Sequence, residues 1–200
     1  QAWLDEAREV VRHWQQGNTL QRLSTFEARF ALLRGDLPAV ERWHRDSGVS
    51  VDDAPTDNDS IEQIMLARLL TAQGQYQQTL AYLDRLLHRA EADGRSAKVI
   101  ETLSLQALAH DASGSAEAAR AALDRALSLA QPGGFVRIFL DEDERLLRIL
   151  AQVARRGGEN ASFAHTILNA AQAPLPMHRN RSVTDAAGDL IESLSERELE

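Results

Sequence analysis

The 200-residue chain contains no cysteine, which excludes a disulfide framework, a thiol nucleophile and any zinc site built on thiolates. Aromatic residues make up only 5% of it, and no stretch approaches the roughly 20 consecutive apolar residues of a membrane helix, so no membrane partner is expected. Positive charge is in deficit. Lys and Arg number 22 against 30 Asp and Glu, a formal charge of −8, and such a surface repels phosphate backbones; these residues are not expected to bind nucleic acid by themselves. No basic start with an apolar segment marks a secretory signal, so a cytoplasmic setting is the expectation. The phosphate-cradling G-x-x-x-x-G-K-[ST], the dinucleotide G-x-G-x-x-G, the nucleophile elbow G-x-S-x-G and the zinc helix H-E-x-x-H are all missing. No catalytic residue can be named, and the chain is expected not to be an enzyme. The six histidines, His13, His44, His88, His110, His165 and His178, have no i, i+4 partners, so no metal site and no cofactor are expected within these residues.

What is present is 44% hydrophobic and 26% charged residue, the composition of one globular domain, or of one domain with a fragment of another. The pattern opens inside an amphipathic stretch (Trp3, Leu4, Ala7, Val10, Val11, Trp14), so the chain is read as a piece of a longer polypeptide. Gly17 and Asn18 end that helix. A second helix carries Leu23, Phe26, Phe30 and Leu33 as its apolar residues, stops at Gly35-Asp36 and restarts with Leu37, Val40 and Trp43; Pro38 suits a first helical turn. Residues 48 to 59 lack periodicity and read as an exposed loop. Ser60 with Gln63 offers a capping box, and the following run of Ile61, Ile64, Met65, Leu66, Leu69 and Leu70 is too apolar for a one-sided surface helix, so it should lie between neighbours. After Gly74-Gln75 come Tyr76, Leu80, Leu83, Leu86, Leu87 and Ala90, with an end near Asp93-Gly94. Val99, Leu103, Ala107 and Leu108, a break at Gly114-Ser115, and Ala119, Leu123, Ala126, Leu127 and Ala130 repeat the arrangement.

Gly35, Gly74 and Gly114 stand 39 and 40 residues apart, and a fixed period of that size signals stacked repeats. The fold class is therefore all-α: a TPR-like α-solenoid, a right-handed superhelix of helix hairpins with a period of about 40 residues. Small residues fall seven before each turn glycine, at Ala28, Ala67 and Ala107, where paired helices approach. Five after it stand Val40, Thr79 and Ala119. In such stacks the first helix of each pair lines the concave side, and alignment places Arg22, Thr25, Arg29, Ile61, Ile64, Arg68, Thr71, Glu101, Ser104, Leu108 and Asp111 there as the candidate ligand groove. Arg29 and Arg68 are equivalent positions, and two guanidiniums on neighbouring helices could grip an anionic or polyhydroxylated ligand; the alternative is that they are solvated or pair with Glu101 and Asp111. Trp3 and Trp14 share a helical face, explained by packing within the first pair or, alternatively, by self-association into a homo-oligomer. Trp43 reads as core.

Residues 1–131 are thus the repeats and 132–173 the closing helices of the arm. Phe135–Leu140 forms a short extended or helical connection. Asp141 with Glu144 caps a helix bearing Leu146, Leu147, Leu150 and Val153, closed by Arg155-Arg156-Gly157-Gly158. The acidic run Asp141 to Glu144 is read as complementing the dipole of that helix start, in preference to a cation site or an acid-base pair. A last helix with Phe163, Ile167, Leu168 and Ala171 ends before Pro174. Residues 174–193, rich in Pro, Arg, Asn, Ser and Asp, read as a flexible linker spanning roughly 25 Å. A second capping box, Ser195 with Glu198, opens another helix.

The 40-residue repeats, GFVRIFLDE at Gly134 to Glu142, and LSERELE at the end together resemble the MalT-like, LuxR-type family of large bacterial transcription activators. GFVRIFLDE resembles that family's junction between repeat arm and closing helices, and residues 194–200 resemble the start of its helix-turn-helix domain; Ser193 stands where many relatives carry proline. The resemblance implies an ATP-binding region upstream, DNA contact only through the C-terminal domain, and a signal-sensing arm that binds a small-molecule inducer or a regulatory protein. The rival readings are a generic helical-repeat adaptor for protein partners and, more remotely, a hydrolase with a site between repeats.

Overall fold

The computed structural model describes residues 21–54 and 60–172. The Trp3–Trp14 helix, part of the acidic loop, the linker and the Leu194–Glu200 segment predicted from sequence lie outside the described residues. All regular structure among those described is helical. Helix α1 includes residues 21–33, and α2 (Leu37–Ser47), α3 (Ser60–Ala72), α4 (Tyr76–Ala92), α5 (Ser96–Ala112) and α6 (Ala116–Ala130) continue the hairpins. A four-residue helix α7 (Arg137–Leu140) then leads into a closing pair, α8 (Glu144–Arg156) and α9 (Ala161–Gln172). The apolar connection left open between extended and helical is therefore helical.

Each hairpin turn has the same chemistry. At Gly74 and Gly114 φ is +76° and +82°, a left-handed conformation that lets the next N–H reach back over the helix end: Gln75 donates to the Leu70 carbonyl at 2.9 Å and Ser115 to the His110 carbonyl at 2.8 Å. This satisfies a carbonyl that the helix end leaves orphaned. At the start of α2, Asp36 accepts from the Ala39 N–H at 3.1 Å, with Pro38 in the first turn.

Alanines 28, 67 and 107 are buried, as are Val40, Thr79 and Ala119 on the second helices, so the equivalent positions of the three units have equivalent packing. Helices α3 and α5 are enclosed nearly all round: Glu62 to Ala67 and Thr102 to Ala109 are continuous buried runs. Met65, Leu66, Leu69, Tyr82, Leu83, Ile100, Leu103, Leu123 and Leu127 fill the space between layers. The core continues without interruption into Phe139, Leu146, Ile149, Leu150 and Ile167, and Phe139 meets Phe163 edge to face with ring centroids 6.5 Å apart. The closing helices are thus fixed to the repeats by burial: α7 and α8 pack on α5, and α8 also on α6.

The buried face of α1 and the cap of α8 are settled by the structure. In α1 the stripe of Leu23, Phe26, Phe30 and Leu33 is 47–61% exposed, while Thr25, Ala28 and Ala31 are buried; small residues allow the close approach of two helices, and the large ones occupy the remaining face. At α8 the N-cap is Asp143, whose carboxylate accepts from the Arg145 N–H at 2.8 Å. Asp141 does not cap this helix.

Candidate functional site

The turn between α7 and α8 lies against the first helices of all three units. Arg29 comes from α1, Arg68 from α3, Glu101 from α5 and Glu142 from the turn. Arg68 Nη2 binds the Glu142 carboxylate and stands 3.6 Å from Glu101 Oε1. Arg29 Nη2 donates to the Asp141 backbone carbonyl and stands 3.9 Å from Glu142. Lys98 completes the group by donating to Glu101 at 2.8 Å. The four principal side chains sink progressively from solvent: Arg29 and Glu101 are each 25% exposed, Arg68 11% and Glu142 4%.

Burial dominates the electrostatics of this cluster. It pushes the Glu142 carboxyl above the ordinary value, and the guanidiniums of Arg68 and Arg29 offset this without reversing it. Burial, followed by the neighbouring charge of Arg68, lowers the Arg29 guanidinium, against the pull of Glu142, Glu101 and Asp141. Asp143 next to them goes the other way. Burial acts upward on it, but hydrogen bonds from the Arg145 side chain and backbone, with the charges of Arg145 and Arg148, outweigh burial and hold it below the carboxylate range.

Beside the cluster is a cavity of about 370 Å³, within the size range of small-molecule sites. Arg29, Arg68, Thr71, Glu142, Asp143 and Arg145 are the polar residues that line it, and Leu32, Leu33, Leu37, Ala72, Leu105 and Leu108 supply its apolar walls. Charged groups beside apolar walls are what orient an amphipathic ligand. Such a lining can recognise a ligand through charged donors and apolar contact.

Of the sequence-predicted groove residues, the structure brings Arg29, Arg68, Thr71 and Leu108 to this cavity and Glu101 to its ion-pair cluster. The Thr71 hydroxyl is turned back on its own helix, donating to the Ala67 carbonyl at 2.8 Å. Thr25, Ile64 and Ser104, which share one repeat position, are buried between helices. Thr25 accepts from Trp43 Nε1 at 3.2 Å, and Ser104 donates to the Ile100 carbonyl at 2.9 Å. Arg22 is exposed, and Ile61 and Asp111 are half-buried without lining the cavity. The residue that sequence reasoning missed is Glu142. Its signal was available: a helix starting at Glu144 can use Asp143 as cap and Glu144 in its first turn, so the acid at 142 is surplus to that role. Leu105 was missed too, one position from Ser104. Among the described residues no three His, Asp or Glu side chains converge as metal ligands, and no helix is long and apolar enough to cross a membrane.

A family model described as the MalT-like TPR region matches residues 1–156 of the chain. No curated protein and no solved structure gave a significant match.

Proposed function

We propose a function that starts from one fact: the chain belongs to the MalT-like TPR family. Within that family it is the signal-sensing arm of a transcription activator of LuxR type. The arm binds a small-molecule inducer in the cavity between the repeats and the α7–α8 turn, and passes the event to ATP-binding and DNA-binding domains carried elsewhere in a longer cytoplasmic protein. It performs no catalysis and needs no cofactor of its own.

One observation carries this reading. A TPR-type stack offers an extended concave surface suited to peptides, but here Glu142 and its turn lie on Arg68 and Arg29, so what is left beside them is a cavity of about 370 Å³ lined by charged groups and apolar walls. That shape suits a small ligand. It also makes the ligand's neighbours residues of two structural units, the repeats and the closing helices, and a ligand shifts a conformational equilibrium only by binding one arrangement better than the other.

A thermal-shift screen of the chain against sugars, sugar phosphates, carboxylic acids, aromatic acids and alkane-like compounds, with peptides as a separate set, tests the proposal. A binder at about 100 times its Kd contributes roughly 2.7 kcal/mol, or a midpoint rise of roughly 5 to 10 °C for a chain of this size. A rise with one small-molecule class supports the sensing arm. Rises confined to peptides support an adaptor for protein partners instead.

A further inference from the structure

We propose that the cavity takes an amphipathic carboxylate, an acid with an apolar body, whose carboxylate replaces that of Glu142 between Arg68 and Arg29 and thereby frees the α7–α8 turn from the repeats. This deepens the reading of the cavity as an inducer site and rests on it.

Arg68 and Arg29 already hold a carboxylate between them, that of Glu142. Arg29 and Arg68 occupy the same position in successive repeats, so their guanidiniums converge from neighbouring helices, and Glu142 reaches them from 74 positions beyond Arg68. A guanidinium is a planar fork matched to carboxylate oxygens. An incoming carboxylate can adopt the bonds that Glu142 gives up, whereas an alcohol offers no charge and an amine offers the wrong one. The walls select the body: Leu32, Leu33, Leu37, Leu105 and Leu108 reward apolar surface that the Glu142 side chain does not supply.

The exchange keeps the charge of the pocket unchanged, and Glu142 regains water at a position where burial disfavours its ionised form. Little else must break. The turn is tied to the repeats through Arg68 to Glu142 and Arg29 to the Asp141 carbonyl, while α8 keeps its own cap, because Asp143 is bound by the backbone and side chain of Arg145. Glu101 remains beside Arg68, its charge shared with Lys98. Displacement therefore loosens the 141–143 turn without unwinding the helix that follows.

The test uses three probes with one body, hexanoate, 1-hexanol and hexylamine, titrated calorimetrically into the 200-residue chain, with amide hydrogen exchange followed across residues 139–145. Hexanoate is expected to bind at least about tenfold more tightly than either analogue and to speed exchange at 141–143 in the unmodified chain. Glu142→Gln, which removes the internal competitor while keeping its shape, is expected to tighten hexanoate by about tenfold. If that variant does not fold, the exchange measurement decides alone. Binding of hexanoate with unchanged or slower exchange at 141–143 overturns the displacement. Binding of hexanol as tight as hexanoate overturns the carboxylate class and leaves the cavity a ligand site. No binding by any of the three overturns the class as well, and the wider screen then separates a different inducer from no inducer at all.

Discussion

A buried carboxylate is stable only with its partners, and Glu142 depends on two. Removing one side of a buried ion pair leaves the other charge uncompensated, at a typical cost of 3 to 5 kcal/mol; Arg29, 3.9 Å away, softens the loss. Arg68→Ala is therefore expected to destabilise the chain by about 3 kcal/mol at neutral pH, read by urea unfolding, and to recover part of that at acid pH, where Glu142 is protonated. The two acids of the turn also predict opposite pH dependences. Glu142 has a raised folded-state pKa, so its contribution is complete below the unfolded carboxyl value, about 4.3, and is lost as pH rises through the folded value. Asp143 has a lowered one, so its contribution is present above about 3.9 and is lost as pH falls through the folded value. Measured against Glu142→Gln the chain should lose relative stability on going up in pH, and against Asp143→Asn on going down. A difference flat with pH in either series contradicts the corresponding assignment. Spacing suggests that Arg68 pairs with Glu101, one repeat on, but not that it pairs with Glu142, because no local rule joins positions 68 and 142.

At the scale of elements the repeat was readable because turn chemistry and burial share one period. Glycines at Gly35, Gly74 and Gly114 place the left-handed turns, and alanines seven residues earlier mark where helices touch. Ala107 is fully buried in α5, so Ala107→Leu forces extra volume into a closed contact and should cost about 1 to 3 kcal/mol, detectable as a lower urea midpoint at unchanged slope; no change would mean that α5 is packed less closely than described. The groove register was less legible, and geometry explains the miss. One residue along a helix rotates a side chain by about 100°, so Ser104 points between helices while Leu105 reaches the cavity. Because α3 and α5 are buried on nearly every face, polar Gln63, Thr102, Ser104 and Gln106 included, side-chain polarity does not tell which narrow strip stays open. In α1 the large apolar residues Leu23, Phe26, Phe30 and Leu33 stay exposed and Thr25, Ala28 and Ala31 make the contact, of which Ala28 stands out in the sequence as a close-approach position.

At the scale of the molecule, the repeats and closing helices share one core, so the ends of the arm are mechanically connected. Phe139 is fully buried in α7, between the repeats and α9, and the turn that follows it carries Glu142 to the arginines. A ligand beside that turn touches both units at once, which is the requirement for a sensor whose output lies beyond its own site. Everything in the account depends on the cavity being occupied in use. The direct measurement is calorimetric titration of the strongest binder from the thermal-shift screen into the chain and into Ala72→Trp. Ala72 is exposed at the end of α3 yet lines the cavity, so tryptophan there fills the space without displacing core atoms. The account predicts an affinity loss of at least about 100-fold, equivalent to roughly 2.7 kcal/mol, with the unliganded melting temperature nearly unchanged. Undiminished affinity in the filled variant would place the ligand elsewhere and contradict the account.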